Sequence, residues 1–221
     1  MIGRFVRAHV RRAAEKQKAA CPEAMEKTIW DRLPLDLTGS VKIVFLWIMD
    51  GGSHTLNATA LPGLIVLNAE WAAELVLKED PDVDAALRMT VGHELTHMEK
   101  SFRFLGLGTR DRKLIHWVDE IHADFGGVQK AFGGCRADGI RAVRYKRLRK
   151  GRRDRACRSH PSWAFRENCI RDYDFGERLI RSVAEEAGCR NERLIRNLLR
   201  YYGTVRLHET APDKAERGDC V

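Results

Sequence analysis

Between Asp82 and Met98 the apolar residues Val83, Leu87, Val91, Leu95 and Met98 recur at spacings of three and four, which predicts an amphipathic helix with one buried stripe. A second helix follows the same rule through Leu114, Val118, Ile121, Phe125, Val128 and Phe132. Upstream the apolar runs are shorter and β-rich. Val41 to Ile48 predicts a strand, and Leu64 to Leu67, bounded on one side by Pro62 and Gly63, predicts another, with GGSHTLNATALPG between them read as a loop. Phe5 to Trp30 predicts an N-terminal helix that gives way to a turn region at Pro34 and Gly39. Towards the other end SHPSWAF reads as a turn, Gly176 to Ala187 and Asn191 to Tyr202 predict two more amphipathic helices, and APDKAERGDCV reads as a frayed tail. The elements predict an α+β fold, mostly helical with a small sheet, in one domain over residues 1–221. Its parts are an N-terminal helix (1–30), a core with the two long helices (31–133), a basic loop (134–158), a C-terminal helical part (159–210) and the tail (211–221).

Composition narrows the class. At 221 residues and 44% hydrophobic the chain can bury one sizeable core. Its longest apolar run, Ile43 to Met49, is far short of the roughly 20 residues that a membrane-spanning helix needs, so the expectation is a soluble protein without a membrane partner. The basic, amphipathic start MIGRFVRAHVRRAAEKQKAA contains no apolar h-region of a secretory signal, which favours a cytoplasmic location. Six cysteines without a CxxC pair read as free thiols; a second, structural zinc site on the CxxH of Cys157 and His160 is the lesser alternative. The net charge of +8 is local, because Arg141 to Arg158 holds ten Lys or Arg against one Asp. Such a run reads first as a solvated loop and second, over residues 141–158, as a contact for an acidic partner or nucleic acid.

The chemistry lies in VGHELTH, Val91 to His97. Residues four apart on a helix stand one above the other, so His93 and His97 can direct ring nitrogens at one ion. Glu94, about 100° around from His93, can face a water on that ion. A catalytic zinc takes three protein ligands and keeps one position open, so a third ligand must lie elsewhere. A histidine at 103 is ruled out, since Lys100 and Arg103 stand where the metzincin pattern has glycine and histidine. Glu120, 23 residues after His97 on the next helix, is suitably placed, and Asp124 one turn on can accept the outer N–H of a ligand histidine and fix its tautomer. By this reading Asp119 has no part in holding the metal, and His116 and His122 are structural or surface residues.

Three segments carry a resemblance to a known family. HELTH with EIHAD resembles HExxH followed by ExxAD; NATALPGLIVLN is similar to an asparagine-to-proline-glycine loop with its edge strand; SHPSWAFR resembles a serine or threonine, then His-Pro, with an arginine six residues after the histidine. In this order they resemble the gluzincin peptidases of the HtpX and CAAX prenyl endopeptidase type, metallopeptidase family forty-eight. The resemblance implies a zincin-like (minigluzincin) core and zinc-dependent hydrolysis of a peptide or protein substrate. It implies one Zn2+ on His93, His97 and Glu120, Glu94 as general base, and Asp124 behind the ligands. It also implies that Asn57 and the strand residues Leu64, Ile65 and Val66, together with Arg166, bind substrate, and that His160 stabilises the developing oxyanion. Members of that family are commonly embedded in membranes, so prenylated or membrane substrates do not carry over, and the basic segment has no counterpart.

A rival reading comes from Leu179 to Tyr202, where Ala184, Gly188 and Leu194 have helix-turn-helix spacing and Arg190, Arg193, Arg196 and Arg200 line the second helix. It makes the chain a DNA-binding regulator, or a HExxH protein that cleaves one. Two helices packed about a glycine turn give the same pattern, and serve as a cover for the core.

Overall fold

The computed structural model describes residues 30–46, 58–68, 82–99, 109–150, 163–186 and 188–208. The N-terminal helix expected before residue 30, Asn57, His160 and the tail lie outside them.

A 3-10 turn at Leu35–Leu37 precedes three strands, β1 (Lys42–Leu46), β2 (Ala58–Leu61) and β3 (Leu64–Asn68), in the order β1-β3-β2. β1 runs parallel to β3, with Lys42 opposite Leu64, and β2 runs antiparallel to it, with Leu61 opposite Leu64. Pro62 and Gly63 form the tight turn between β2 and β3. Gly63 there has φ 71, a conformation in which glycine has no Cβ to clash. Two expectations change. The segment before Pro62 pairs as a strand although Ala58, Thr59 and Ala60 give little apolar signal. Leu64 to Leu67 is then the central strand, with a neighbour on each side, and the free sheet edges among the described residues belong to β1 and β2.

Among the described residues six helices follow: α1 (Asp82–Glu99), α2 (Thr109–Phe132), α3 (Arg136–Lys150), α4 (Trp163–Arg171), α5 (Tyr173–Glu186) and α6 (Glu192–Tyr202). The chain is therefore mostly helical with one small sheet. α3 occupies most of the segment expected to be a basic loop. Its density of Lys and Arg hides a narrow apolar stripe, of which Ala142, Val143 and Tyr145 are buried. α4 is likewise additional, held by Cys169 and Ile170. At the C-terminal end, Gly188 at φ 63 closes α5, with the Cys189 N–H donating to the Ala184 carbonyl at 2.8 Å, and Asn191 caps α6 by accepting from the Leu194 N–H at 3.0 Å.

Two apolar clusters lie on opposite sides of α1. On one side Ile65 and Leu67 of β3 meet Val83, Ala86, Leu87, Val91 and Leu95. On the other Ala85 and Met89 join the larger cluster built by α2, α3, α4, α5 and α6. The helix expected to bury a single stripe is thus buried at nearly every position from Val83 to His97. Its buried Thr90 and Thr96 satisfy their hydroxyls by donating to the carbonyls of Ala86 and Gly92, each at 2.8 Å. α1 and α2 cross closely because glycines face the contact. A Cβ on Gly92 would lie 3.0 Å from the Gly127 carbonyl oxygen, and one on Gly126 would collide with the Thr96 side chain. Among the described residues no helix is long and apolar enough to cross a membrane.

Candidate metal centre

The close crossing of α1 and α2 brings His93 and His97 against Glu120. Their ligand atoms lie within 4.8 Å of one another, and all three residues are buried. The two Nε2 atoms are 3.0 Å apart, and each is 3.4 Å from one oxygen of Glu120, His93 from Oε2 and His97 from Oε1. A tetrahedral ion with bonds of about 2.0–2.2 Å needs ligand atoms about 3.3–3.6 Å apart; the two histidine–glutamate spacings match it and the histidine–histidine spacing is a few tenths of an ångström short.

The orientation of the rings is set from behind. His93 Nδ1 lies 2.9 Å from Asp124 Oδ1 and His97 Nδ1 lies 3.1 Å from Asp119 Oδ2. With a carboxylate beside it each Nδ1 carries the proton, His93 donating it to Asp124 and His97 holding it in ion-pair contact with Asp119, which leaves both Nε2 lone pairs pointing inward at each other and at the Glu120 oxygens. A cage made wholly of acceptors is repulsive until a cation enters it. In the absence of a metal a proton does so. Burial works to lower the His97 pKa, but hydrogen bonds and charge from Asp119 and Glu120 outweigh it and raise the value to about 9. Burial likewise opposes ionisation of Glu120, yet His93 and His97 hold its carboxyl well below the usual range.

Charge counting points the same way. Among the described residues the centre buries four carboxylates, Glu94, Asp119, Glu120 and Asp124, with one arginine, Arg166, a net formal charge of −3 from these five side chains with neutral histidines. Buried charge without compensation is strongly unfavourable, and a divalent cation offsets most of it. The residues present therefore fit a metal ion.

Arg166, expected beside a substrate, has a partner that the sequence does not show. It is 6% exposed, and its guanidinium lies against Asp124, Nη2 donating to Oδ1 at 2.6 Å and Nε donating to Oδ2. Burial would lower its pKa, but the charge of Asp124 above all, then of Glu120 and Glu94, raises it. Asp124 is held below the usual carboxylate range by the same pair, Arg166 first and His93 after, against burial. Arg166 thus packs against the carboxylate that stands behind His93.

Glu94 is buried beside the cage without being a member of it, and among the described residues it hydrogen-bonds to no other side chain. Leu64, Ile65 and Val66 lie in the central strand, where Ile65 and Val66 are buried and the backbone is paired on both sides. An added peptide strand cannot reach them. Among the described residues β2, which packs against α1, has one side without a strand neighbour. His116 approaches Glu120 Oε1 at 3.9 Å from the rim, and His122 is buried against Thr204 and Tyr201. Cys135 and Cys169 have free thiols; burial, with the charge of Asp124 adding to it, pushes Cys169 up to about 12, which keeps it protonated and inert.

Asp119 is the residue the sequence reading dismissed. A signal for it was present: Ile115, Asp119, His122 and Gly126 form a second stripe of α2 at spacings of four, three and four, and polar groups in a buried stripe require partners.

Comparison with protein-family models, with curated proteins and with solved structures returned no match to this chain.

Proposed function

We propose that this protein is a zinc-dependent endopeptidase with a zincin-like core, acting in the cytoplasm on peptide or protein substrates. The observation that carries the reading is the all-acceptor cage of His93, His97 and Glu120 with an uncoordinated buried carboxylate, Glu94, next to it. The motif resemblance from Asn57 to Arg166 adds to it. Zinc, when bound, lowers the pKa of a coordinated water and polarises a scissile carbonyl. His93, His97 and Glu120 hold the ion, Asp124 and Asp119 fix the histidine tautomers, and Arg166 keeps Asp124 ionised. Glu94 accepts the proton of the attacking water as its oxygen bonds to the carbonyl carbon. The same proton then goes to the leaving amine as the C–N bond breaks. An extended substrate is best received by strand addition at β2, Ala58–Leu61, in place of Leu64 to Val66. His160, by resemblance, remains the candidate for the oxyanion.

The test is Glu94→Gln, read by metal analysis and by proteome-scale cleavage mapping against wild type. Glutamine keeps the shape but cannot take the proton, so the variant should retain one zinc and its fold while turnover falls by about 10²- to 10⁴-fold. Full activity in the variant would remove Glu94 from the mechanism. Loss of zinc would mean a closed, structural site in which Glu94 is a ligand.

One observation favours the second reading, a DNA-binding module. Arg193, Arg196 and Arg200 are all exposed on the outer face of α6. Duplex binding with a steep salt dependence that survives Glu94→Gln would support it.

A further inference from the structure

Helix α6 ends in two adjacent tyrosines with different destinations. The Tyr202 hydroxyl donates to the Tyr173 carbonyl at 3.0 Å, inside the helical cluster. The Tyr201 hydroxyl donates to Asp119 Oδ1 at 3.1 Å, while the other oxygen of that carboxylate faces His97 Nδ1. Asp119 is wholly buried, so water cannot replace a donor it loses. The Tyr201 ring is itself fixed. It stacks on His122 with centroids 3.8 Å apart, His122 Nε2 lies 2.9 Å from the Thr204 hydroxyl, and that hydroxyl donates to the Tyr201 carbonyl at 2.8 Å.

We propose that Tyr201 is a positioning residue of the metal centre, acting through Asp119 to keep His97 in its ligating orientation, so that α6 is part of the site as well as its cover. The inference rests on the metal site of the peptidase reading. The Tyr201 hydroxyl on Oδ1 and the His97 ring against Oδ2 fix the orientation of this carboxylate between them. With the phenol removed, Asp119 loses the donor on Oδ1, and the ring of His97 is held less firmly in register with His93 and Glu120.

The experiment compares Tyr201→Phe with Tyr202→Phe, the same chemical change one residue apart, in the full chain. Zinc affinity is measured by competition with a chromophoric chelator, ligand geometry by the d–d absorption of cobalt(II) bound in place of zinc, and stability by urea unfolding of the metal-free protein. Tyr201→Phe should bind zinc about tenfold more weakly, the lower end for partners behind metal ligands, and should change the cobalt bands. Tyr202→Phe should lower stability and leave both metal readouts as in wild type. In an Asp119→Ala background Tyr201→Phe should have no further effect on zinc affinity, because its route to the metal is gone. Wild-type affinity and spectrum in Tyr201→Phe, or an undiminished effect in the Asp119→Ala background, overturns the proposal while leaving the metal site standing. Wild-type protein that takes up neither zinc nor cobalt, or takes them up equally after His93→Ala, overturns the peptidase reading and the inference with it. If Asp119→Ala does not fold, the two tyrosine variants decide the matter alone.

Discussion

The two ligand histidines are supported by unlike arms. Behind His93 stands Asp124, clamped by two N–H groups of a buried guanidinium; behind His97 stands Asp119, which accepts from a neutral phenol. The first arm is a charge pair out of water, in which either member alone is intolerable. The second sets a neutral hydroxyl on Asp119 Oδ1 while Oδ2 turns to His97. The contrast teaches that arms with the same geometry at the metal can differ in kind: one is all-or-none and holds the fold, the other is graded and tunes the site.

The largest effect should come from breaking the charged arm. Arg166→Met leaves Asp124 buried and unpaired and should cost about 3–5 kcal/mol in urea unfolding of the metal-free protein. Tyr201→Phe, which removes a neutral donor, should cost about 1 kcal/mol in the same measurement. Equal costs would erase the distinction between the arms. Next in size, Asp124→Ala and Asp119→Ala should each weaken zinc by about ten- to hundredfold in chelator competition, since each strips a histidine of the acceptor that fixes its tautomer. A loss confined to Asp124→Ala would return Asp119 to the indifferent role first read for it. The smallest effect sharpens the contrast between the two faces of α6. Replacing Arg193, Arg196 and Arg200 together by Gln should move stability by no more than about 0.5 kcal/mol per site and leave zinc affinity unchanged. A changed affinity would show that the outer face of α6 also reaches the metal.

How much of this was legible follows the physics of each signal. Periodicity located α1, α2, α5 and α6, because a helix that buries one face must write that face every three or four residues. The ligands were legible for the same reason: His93 and His97 share a helix, and Glu120 with Asp124 share another, so local spacing encodes which groups travel together. α3 was not, since ten basic residues between Arg141 and Arg158 swamp a stripe of three buried side chains. β2 was missed because small residues beside a turn fit a strand or a loop equally well. The pairing partners were out of reach altogether. Tyr201 lies 82 residues from Asp119, and no local pattern states that their helices meet. The contact of Arg166 with Asp124 was out of reach for a related reason: a motif position fixes which residue is present, while its packing against a residue 42 positions away is not written locally.

The glycine contact between α1 and α2 bears on how the site ages under mutation. Where helices meet through large side chains, the gap between them drifts as those side chains change rotamer or size. Here Gly92 and Gly127 bring main chain to main chain, immediately beside His93. The contact acts as a mechanical stop, so substitutions in either apolar cluster can be absorbed by local repacking without altering the separation of the two helices. The same stop has no slack in the other direction. An added methyl at Gly126 meets Thr96 at once, down to its Cβ, so the strain falls on the two helices that carry the histidines and the glutamate.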